Sequence, residues 1–242
     1  LDAAGWYGVR VTVQQGTLGN PVYPDYFADL VVLPDAAAED DELPVAEVYR
    51  VLRPHGGTAC FARGGSADSV DRIRRRLAEA KIPAGEVSVD GDWVQVTRAA
   101  LPGEGDWTHQ YADAAKSGCG PDQRVRLPLK LLWFGEPGPE WLISRHWKGP
   151  APLCVAGRMF IAGQRSLMAV DAYNGRLLWR RDLPKVGRYP VTTTGSNIAA
   201  DDQNVYLVVD DACLRLDAES GETVQTYPLP PNVEAPAKKG GS

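Results

Sequence analysis

Asp171-Ala172-Tyr173-Asn174-Gly175 returns as Asp217-Ala218-Glu219-Ser220-Gly221, a shift of 46 residues. The same shift carries Met159-Phe160-Ile161 onto Val205-Tyr206-Leu207 and Leu183-Pro184 onto Leu229-Pro230. Run backwards, it takes Leu177-Leu178-Trp179 to Leu131-Leu132-Trp133 and Gly195 to Gly149. Identities are few, but apolar class is kept at most positions, and that is what a packed repeat needs. Periods of about 40–50 residues belong to solenoids and propellers.

Each copy carries strand chemistry. Met159–Ala162 and Leu167–Val170 are short apolar runs on either side of a polar Gly-Gln-Arg-Ser turn. Asp-x-x-x-Gly then turns the chain tightly: the aspartate accepts local backbone N–H bonds and the glycine takes a positive φ. Leu177-Leu178-Trp179 resumes a third strand. Several strands per copy with turns between them fit a propeller blade better than a helical repeat. A single sandwich with accidental periodicity is the competing reading, and five landmarks obeying one shift argue against it.

The 242 residues allow one large domain or two ordinary ones, and 44% hydrophobic with 24% charged residues is a globular balance. A net charge of −5 points to no nucleic acid and no anionic membrane as partner. No apolar run approaches the roughly 18 residues of a membrane span. Cys60, Cys119, Cys154 and Cys213 are far apart with no C-x-x-C pair, so they read as small apolar filler and not as a zinc or redox site. The opening Leu1–Gly5 resembles a helix end with its cap, and the chain reads as a fragment of a larger protein.

Ahead of the repeat the pattern differs. Val9, Val11 and Val13 alternate with polar residues as a first strand, and Asp29–Leu33 reads as a strand buried on both faces. The acidic run Glu39–Glu42 and Pro44 open a helix, with Val45, Val48, Tyr49 and Leu52 as its apolar stripe. Thr58–Ala62 is the next strand. Ser66 caps a second helix, which buries Val70, Ile73, Leu77 and Ala80 and leaves the arginines 72 and 74–76 mostly to solvent. Val87–Val89, Asp90-Gly91 and Trp93–Thr97 form a hairpin. The order β-β-α-β-α-β-β predicts an α/β sheet over 1–100, a linker over 101–106, an all-β repeat domain over 107–230 and a disordered tail over 231–242.

Glu47-Val48-Tyr49-Arg50-Val51-Leu52-Arg53-Pro54-His55-Gly56-Gly57 resembles the helix-to-strand passage of class I S-adenosylmethionine-dependent methyltransferases. Gln15-Gly16-Thr17-Leu18 and Pro24–Val32 are similar to that family's third-strand loop and fourth strand. The resemblance covers roughly the first 98 residues. It implies a partial Rossmann-like sheet, with Gly16, Thr17 and Leu18 lining the adenine side of the cofactor and Leu33 and Pro34 near its methionine end. The family's glycine-rich G-x-G-x-G loop is absent, so S-adenosylmethionine is expected only in an intact domain. Asp25, Tyr26 and Asp35 are acceptor-side groups that read equally well as turn residues, and no catalytic residue is assigned.

Asp106-Trp107-Thr108-His109-Gln110-Tyr111 with Leu129–Trp133, and Ala169–Trp179, resemble the pyrroloquinoline-quinone-type β-propellers. In the second copy Arg215 replaces the alanine and Gln225 the tryptophan. In that family the glycine makes the turn and the tryptophan packs between blades. These are architectural positions; without an adjacent cysteine pair or a calcium cluster they argue against a bound quinone. A closed ring of six to eight blades needs roughly 280–370 residues, and after Asp106 there is room for two blades and a leading strand. His109 and His146 make no metal set.

The reading is a piece of a bacterial-type multidomain protein that joins a methyltransferase-like domain to a propeller offering a face to protein partners. Its alternatives are a relic methyltransferase fold on an interaction propeller, and a quinone-dependent dehydrogenase. An active methyltransferase implies the cytoplasm, and a dominant propeller implies the periplasm or cell envelope.

Overall fold

A computed structural model describes residues 2–17, 23–33, 45–62, 69–82, 86–135, 141–142, 150–163, 165–183 and 196–230. The expected sites Leu18 and Pro34 lie outside these residues. So do Asp35, the acidic run, Pro44, the capping Ser66, His146, Gly149, Gly195 and the tail. The chain divides into two compact units, Leu1–Ala99 and Ala100–Ser242. Among the described residues it is mostly β, with few helices and with sheets that stay open.

The first unit runs β1 (Leu30–Leu33), α1 (Val45–Val51), β2 (Thr58–Ala62), α2 (Ser69–Glu79), β3 (Glu86–Asp90) and β4 (Trp93–Thr97). The sheet order is β1-β2-β4-β3: β1 lies parallel to β2, and β4 is antiparallel to both β2 and β3. Val45 and Val48 from α1 and Ile73 and Leu77 from α2 pack with Leu33, Phe61, Val94 and Val96 as one core. The hairpin turns at Gly91, whose φ of +55° suits a residue without a Cβ.

Three expectations change here. Val9–Val13 is no strand: Gly8 turns with positive φ, and the Trp6 carbonyl accepts from Val9, Arg10 and Val11. Alternation makes a strand only where a neighbour pairs with it, and Val9 is 82% exposed. Strand β1 is not buried on both faces, since Leu30 is 58% and Val32 55% exposed while Leu33 is 2%. Ala80, placed on the buried face of α2, is exposed just past the helix end.

The second unit contains two four-stranded antiparallel sheets. Sheet one is β5 (Leu153–Val155), β6 (Arg158–Gly163), β7 (Ser166–Asp171) and β8 (Leu177–Asp182). Sheet two is β9 (Ile198–Ala200), β10 (Asn204–Val209), β11 (Ala212–Asp217) and β12 (Thr223–Pro228). Each copy therefore has four strands where the pattern announces three, because the first is only three residues long. The register repeats as well. Met159 pairs with Val170 as Val205 pairs with Leu216, and the irregularity between Ala169 and Val170 returns between Arg215 and Leu216. One core joins the sheets: Leu153, Phe160, Leu167, Ala169 and Trp179 meet Ile198, Val205, Leu207 and Leu216.

Cys119 is exposed, not filler, because Ser117 and its Asp113 partner hold that loop at the surface. Cys154 does behave as filler; burial first, with Asp106 adding to it, pushes its thiol up to about 11. At neutral pH it stays protonated and inert.

Candidate functional site

The residues that the repeat singles out converge on one structure, built twice. Asp171 Oδ1 accepts the amides of Tyr173 (2.9 Å) and Asn174 (3.2 Å), and Asp217 Oδ1 accepts those of Glu219 (3.0 Å) and Ser220 (2.8 Å). Gly175 N donates to Asp171 O at 3.0 Å, and Gly221 N to Asp217 O at 2.9 Å. Ala172 N and Ala218 N each reach back 2.9 Å, to Gly157 O and Gln203 O. The turn is thereby closed by its own backbone, with φ of +76° at Gly175 and +72° at Gly221.

An indole lies on each turn. Trp133 Nε1 donates to Ala172 O and Trp179 Nε1 to Ala218 O, both at 3.0 Å. A Cβ at Gly221 would stand 2.7 Å from the indole carbons of Trp179, and one at Gly175 would run into those of Trp133. Glycine is required twice over, by its dihedral and by the ring above it. Gly175→Ala is expected to cost about 2–4 kcal/mol from the overlap and the left-handed φ together. Thermal unfolding reads that loss, and no change would mean that the indole is not seated.

Hydrogen bonds from Ser220 first, and from Glu219 after it, hold the Asp217 carboxyl below its ordinary value. A carboxyl depressed in the folded state contributes stability above its unfolded pKa of about 4 and loses it as pH falls through the folded value. Asp217→Asn is therefore expected to flatten the acid limb of a plot of melting temperature against pH. Wild type and variant should run parallel above about pH 5. An unaltered acid limb would remove this role.

The loop expected to serve as a linker is tied into the second unit: Tyr173 OH donates to Glu104 Oε2 at 2.6 Å and Ala156 N to Asp106 Oδ1 at 3.0 Å. Trp107 exchanges backbone bonds with Cys154, and Ala200 N donates to Thr108 O, so this segment runs along the first strands of both sheets. Among the described residues no three His, Cys, Asp or Glu side chains gather as a metal set. Leu129–Trp133 pairs with no strand among the described residues, although Trp133 is seated.

In the first unit three of the five proposed cofactor residues, Gly16, Thr17 and Leu33, lie among the described residues. Gly16 and Thr17 are exposed, and a Cβ built on Gly16 meets nothing within 4 Å, so no close approach demands a glycine there. Leu33 is a core residue. A cavity of about 640 Å³ in this unit is lined by residues such as Arg10, Tyr23, Phe27, Leu30 and Val32. Its lining mixes the cation of Arg10 and the polar Thr12, Gln14 and Glu47 with the stacked rings of Tyr23 and Phe27. Asp25, considered an acceptor-side group, pairs with Arg50, which also binds Glu47 and the Tyr23 carbonyl. Tyr26 lies under the guanidinium of Arg98.

Arg98 is the residue that the sequence did not announce. It is 8% exposed, and its Nη1 donates to the carbonyls of Tyr49 (2.5 Å), Leu52 (2.8 Å) and Arg50 (3.2 Å) at the end of α1. Its guanidinium stacks 4.5 Å from the Tyr49 ring and 4.7 Å from that of Tyr26.

No protein-family model and no curated protein sequence matches the chain. Among solved structures it is similar to BamB from Moraxella catarrhalis, at 23% identity over 30% of this chain and 21% of that one, with a TM-score of 0.25. A quinohemoprotein alcohol dehydrogenase from Comamonas testosteroni matches at 19% identity over 54% of this chain and 20% of its own, TM-score 0.39. A candidate S-adenosyl-L-methionine-dependent methyltransferase from Methanococcus maripaludis matches at 17% identity, covering 41% of this chain and 59% of its own, TM-score 0.30. The chain spans about a fifth of the length of the first two.

Proposed function

We propose that this chain belongs to a multidomain protein in which a methyltransferase-like α/β domain is joined to a quinoprotein-type propeller, and that the propeller acts as an interaction scaffold. The observation that carries this reading is the twice-built lock of tryptophan on an Asp-x-x-x-Gly turn. Its aspartates close the turns, its indoles sit on them, and Trp179 of sheet one reaches the turn of sheet two. Such sheets stacked at a fixed shift make a blade series whose surface is free to take partners. The order β1-β2-β4-β3, with a parallel pair ending in an antiparallel hairpin, agrees with the methyltransferase resemblance of the first unit. S-adenosylmethionine is the cofactor of that reading in an intact domain. A second reading, a relic fold, is favoured by the burial of Leu33 and the open surroundings of Gly16.

Thermal unfolding of the native-length protein with and without S-adenosylhomocysteine separates the two. A melting temperature that rises with ligand supports a working cofactor site. One that stays fixed at saturating ligand leaves the scaffold as the function. Reconstitution with pyrroloquinoline quinone is expected to add no quinone absorbance, and a stoichiometric band would establish the dehydrogenase reading instead.

A further inference from the structure

Within the second unit, the loop 109–116 and sheet two enclose a cleft of about 240 Å³. The wall that the sheet supplies includes Ile198, Val208 and Tyr206, whose hydroxyl donates to Asp201 Oδ2 at 3.3 Å. Gln110 stands in the wall that the loop supplies. It is 8% exposed, and its Oε1 is buried without a hydrogen-bond partner among the described residues. An amide oxygen held away from water and left unpaired is costly. The turn that puts it there is costly too, since Tyr111 and Ala112 have φ of +65° and +81° although neither is glycine. The Ala112 carbonyl holds that turn by accepting Thr108 N at 2.9 Å and His109 N at 3.3 Å, and Tyr111 O accepts Gly118 N at 2.9 Å. Backbone strain of this kind persists where the surroundings enforce it, and it gathers at ligand clamps.

We infer that this cleft binds a small uncharged molecule carrying a primary carboxamide, its amide paired with that of Gln110 and its apolar body against Tyr206 and Val208. Three features select that chemistry. The first is the unpaired group itself: an amide has an acceptor oxygen and N–H donors side by side. A carboxamide matches both in one cyclic pair, and does so with either end of the Gln110 amide inward. The second is charge. Asp113 and Lys116 are the charged side chains along the cleft, one of each sign, so neither an anion nor a cation gains a net attraction. Asp113 is moreover engaged, accepting Ser117 N at 3.0 Å and Ser117 Oγ at 2.7 Å. His109 is turned to its neighbour, with Nδ1 2.8 Å from Thr108 Oγ1. The third is size. The volume is below the roughly 300 Å³ at which pockets for drug-sized molecules begin, which suits a single ring with one substituent. The cleft lies wholly within the second unit, so a ligand here goes beyond the scaffold role and is independent of any S-adenosylmethionine site.

The test uses three probes of one size and shape: benzamide, benzoate and benzamidine, which are neutral, anionic and cationic at neutral pH. Each is titrated into the 242-residue chain and followed by the amide resonances of Ala199 and Val208. Benzamide is expected to saturate with a Kd of roughly 1–10 mM, as so small a ligand allows. Both ions should bind at least about fivefold more weakly, because neither can complete the pair with Gln110 without bringing an uncompensated charge. Gln110→Leu should weaken benzamide by about tenfold or more and hold or raise the melting temperature, since it replaces an unpaired buried amide by an apolar side chain of similar size. A lower melting temperature in that variant would show that the amide serves the fold, and would overturn the site. Val208→Trp, at a position 43% exposed, fills the cleft from the sheet side and should abolish the benzamide shifts. Retained binding there would put the ligand elsewhere and also overturn the inference. So would equal or tighter binding of either ion, or undiminished binding by Gln110→Leu. No saturable shift with benzamide would leave water as the partner of Gln110, and the carboxamide site would fall with it.

Discussion

Trp179→Ala is expected to destabilise the second unit by about 3–5 kcal/mol, the range for deleting a large buried aromatic side chain. In a unit of this size that is a fall of roughly 10–15 °C in melting temperature. The loss has three parts. The indole fills the core between the sheets beside Phe160, at a ring separation of 6.1 Å. Its Nε1 satisfies Ala218 O, and its ring closes over Gly221. Trp133→Ala makes the same kind of change where the ring is only half-buried, so a smaller loss is expected. A double-mutant cycle isolates the ring-on-glycine contact. Once Trp179 is alanine, Gly221→Ala should cost only the left-handed φ, about 1–2 kcal/mol. Additive single effects would show that ring and glycine do not touch in solution. A loss below about 1 kcal/mol for Trp179→Ala would sink the lock.

Arg98→Ala carries the largest expected effect in the first unit, about 3 kcal/mol or more. Three carbonyls at the end of α1 lose their donor, and two tyrosine rings lose the cation between them. Arg98→Lys keeps the charge but not the planar fork, and an ammonium cannot both stack on two rings and serve those carbonyls. It should recover less than half of the loss. Hydrogen exchange of the α1 amides reports on this unit alone, since opening of the helix end raises their rates. Wild-type protection in the lysine variant would reduce Arg98 to a simple point charge.

The two predictions differ in how far they could be foreseen, and the difference is physical. Trp179 and Gly221 are legible because the second unit is periodic: a residue needed at one joint is needed at the next, and the shift exposes it. Its short strands β5 and β9 were not legible, since three residues carry too little pattern. Arg98 stands once, just past a strand, and its partners sit near the end of α1. Nothing local marks a guanidinium that will be buried. Val9, Val11 and Val13 failed the opposite way, because alternation records a capacity for pairing and not the presence of a partner. Leu33, which the resemblance implies near the methionine end of a cofactor, lies on the inward face of β1 and in the core.

The reach of Arg98 back to α1 has a consequence for synthesis on the ribosome. The helix is made first, yet the donor for its last carbonyls is encoded almost fifty residues later. At about 5–20 residues per second, that end of the helix waits roughly 2–10 s for its donor. The nascent first unit therefore cannot be clasped early. It becomes a finished body only as translation reaches its boundary with the second, while residues Ala100–Ser242 are still to be made.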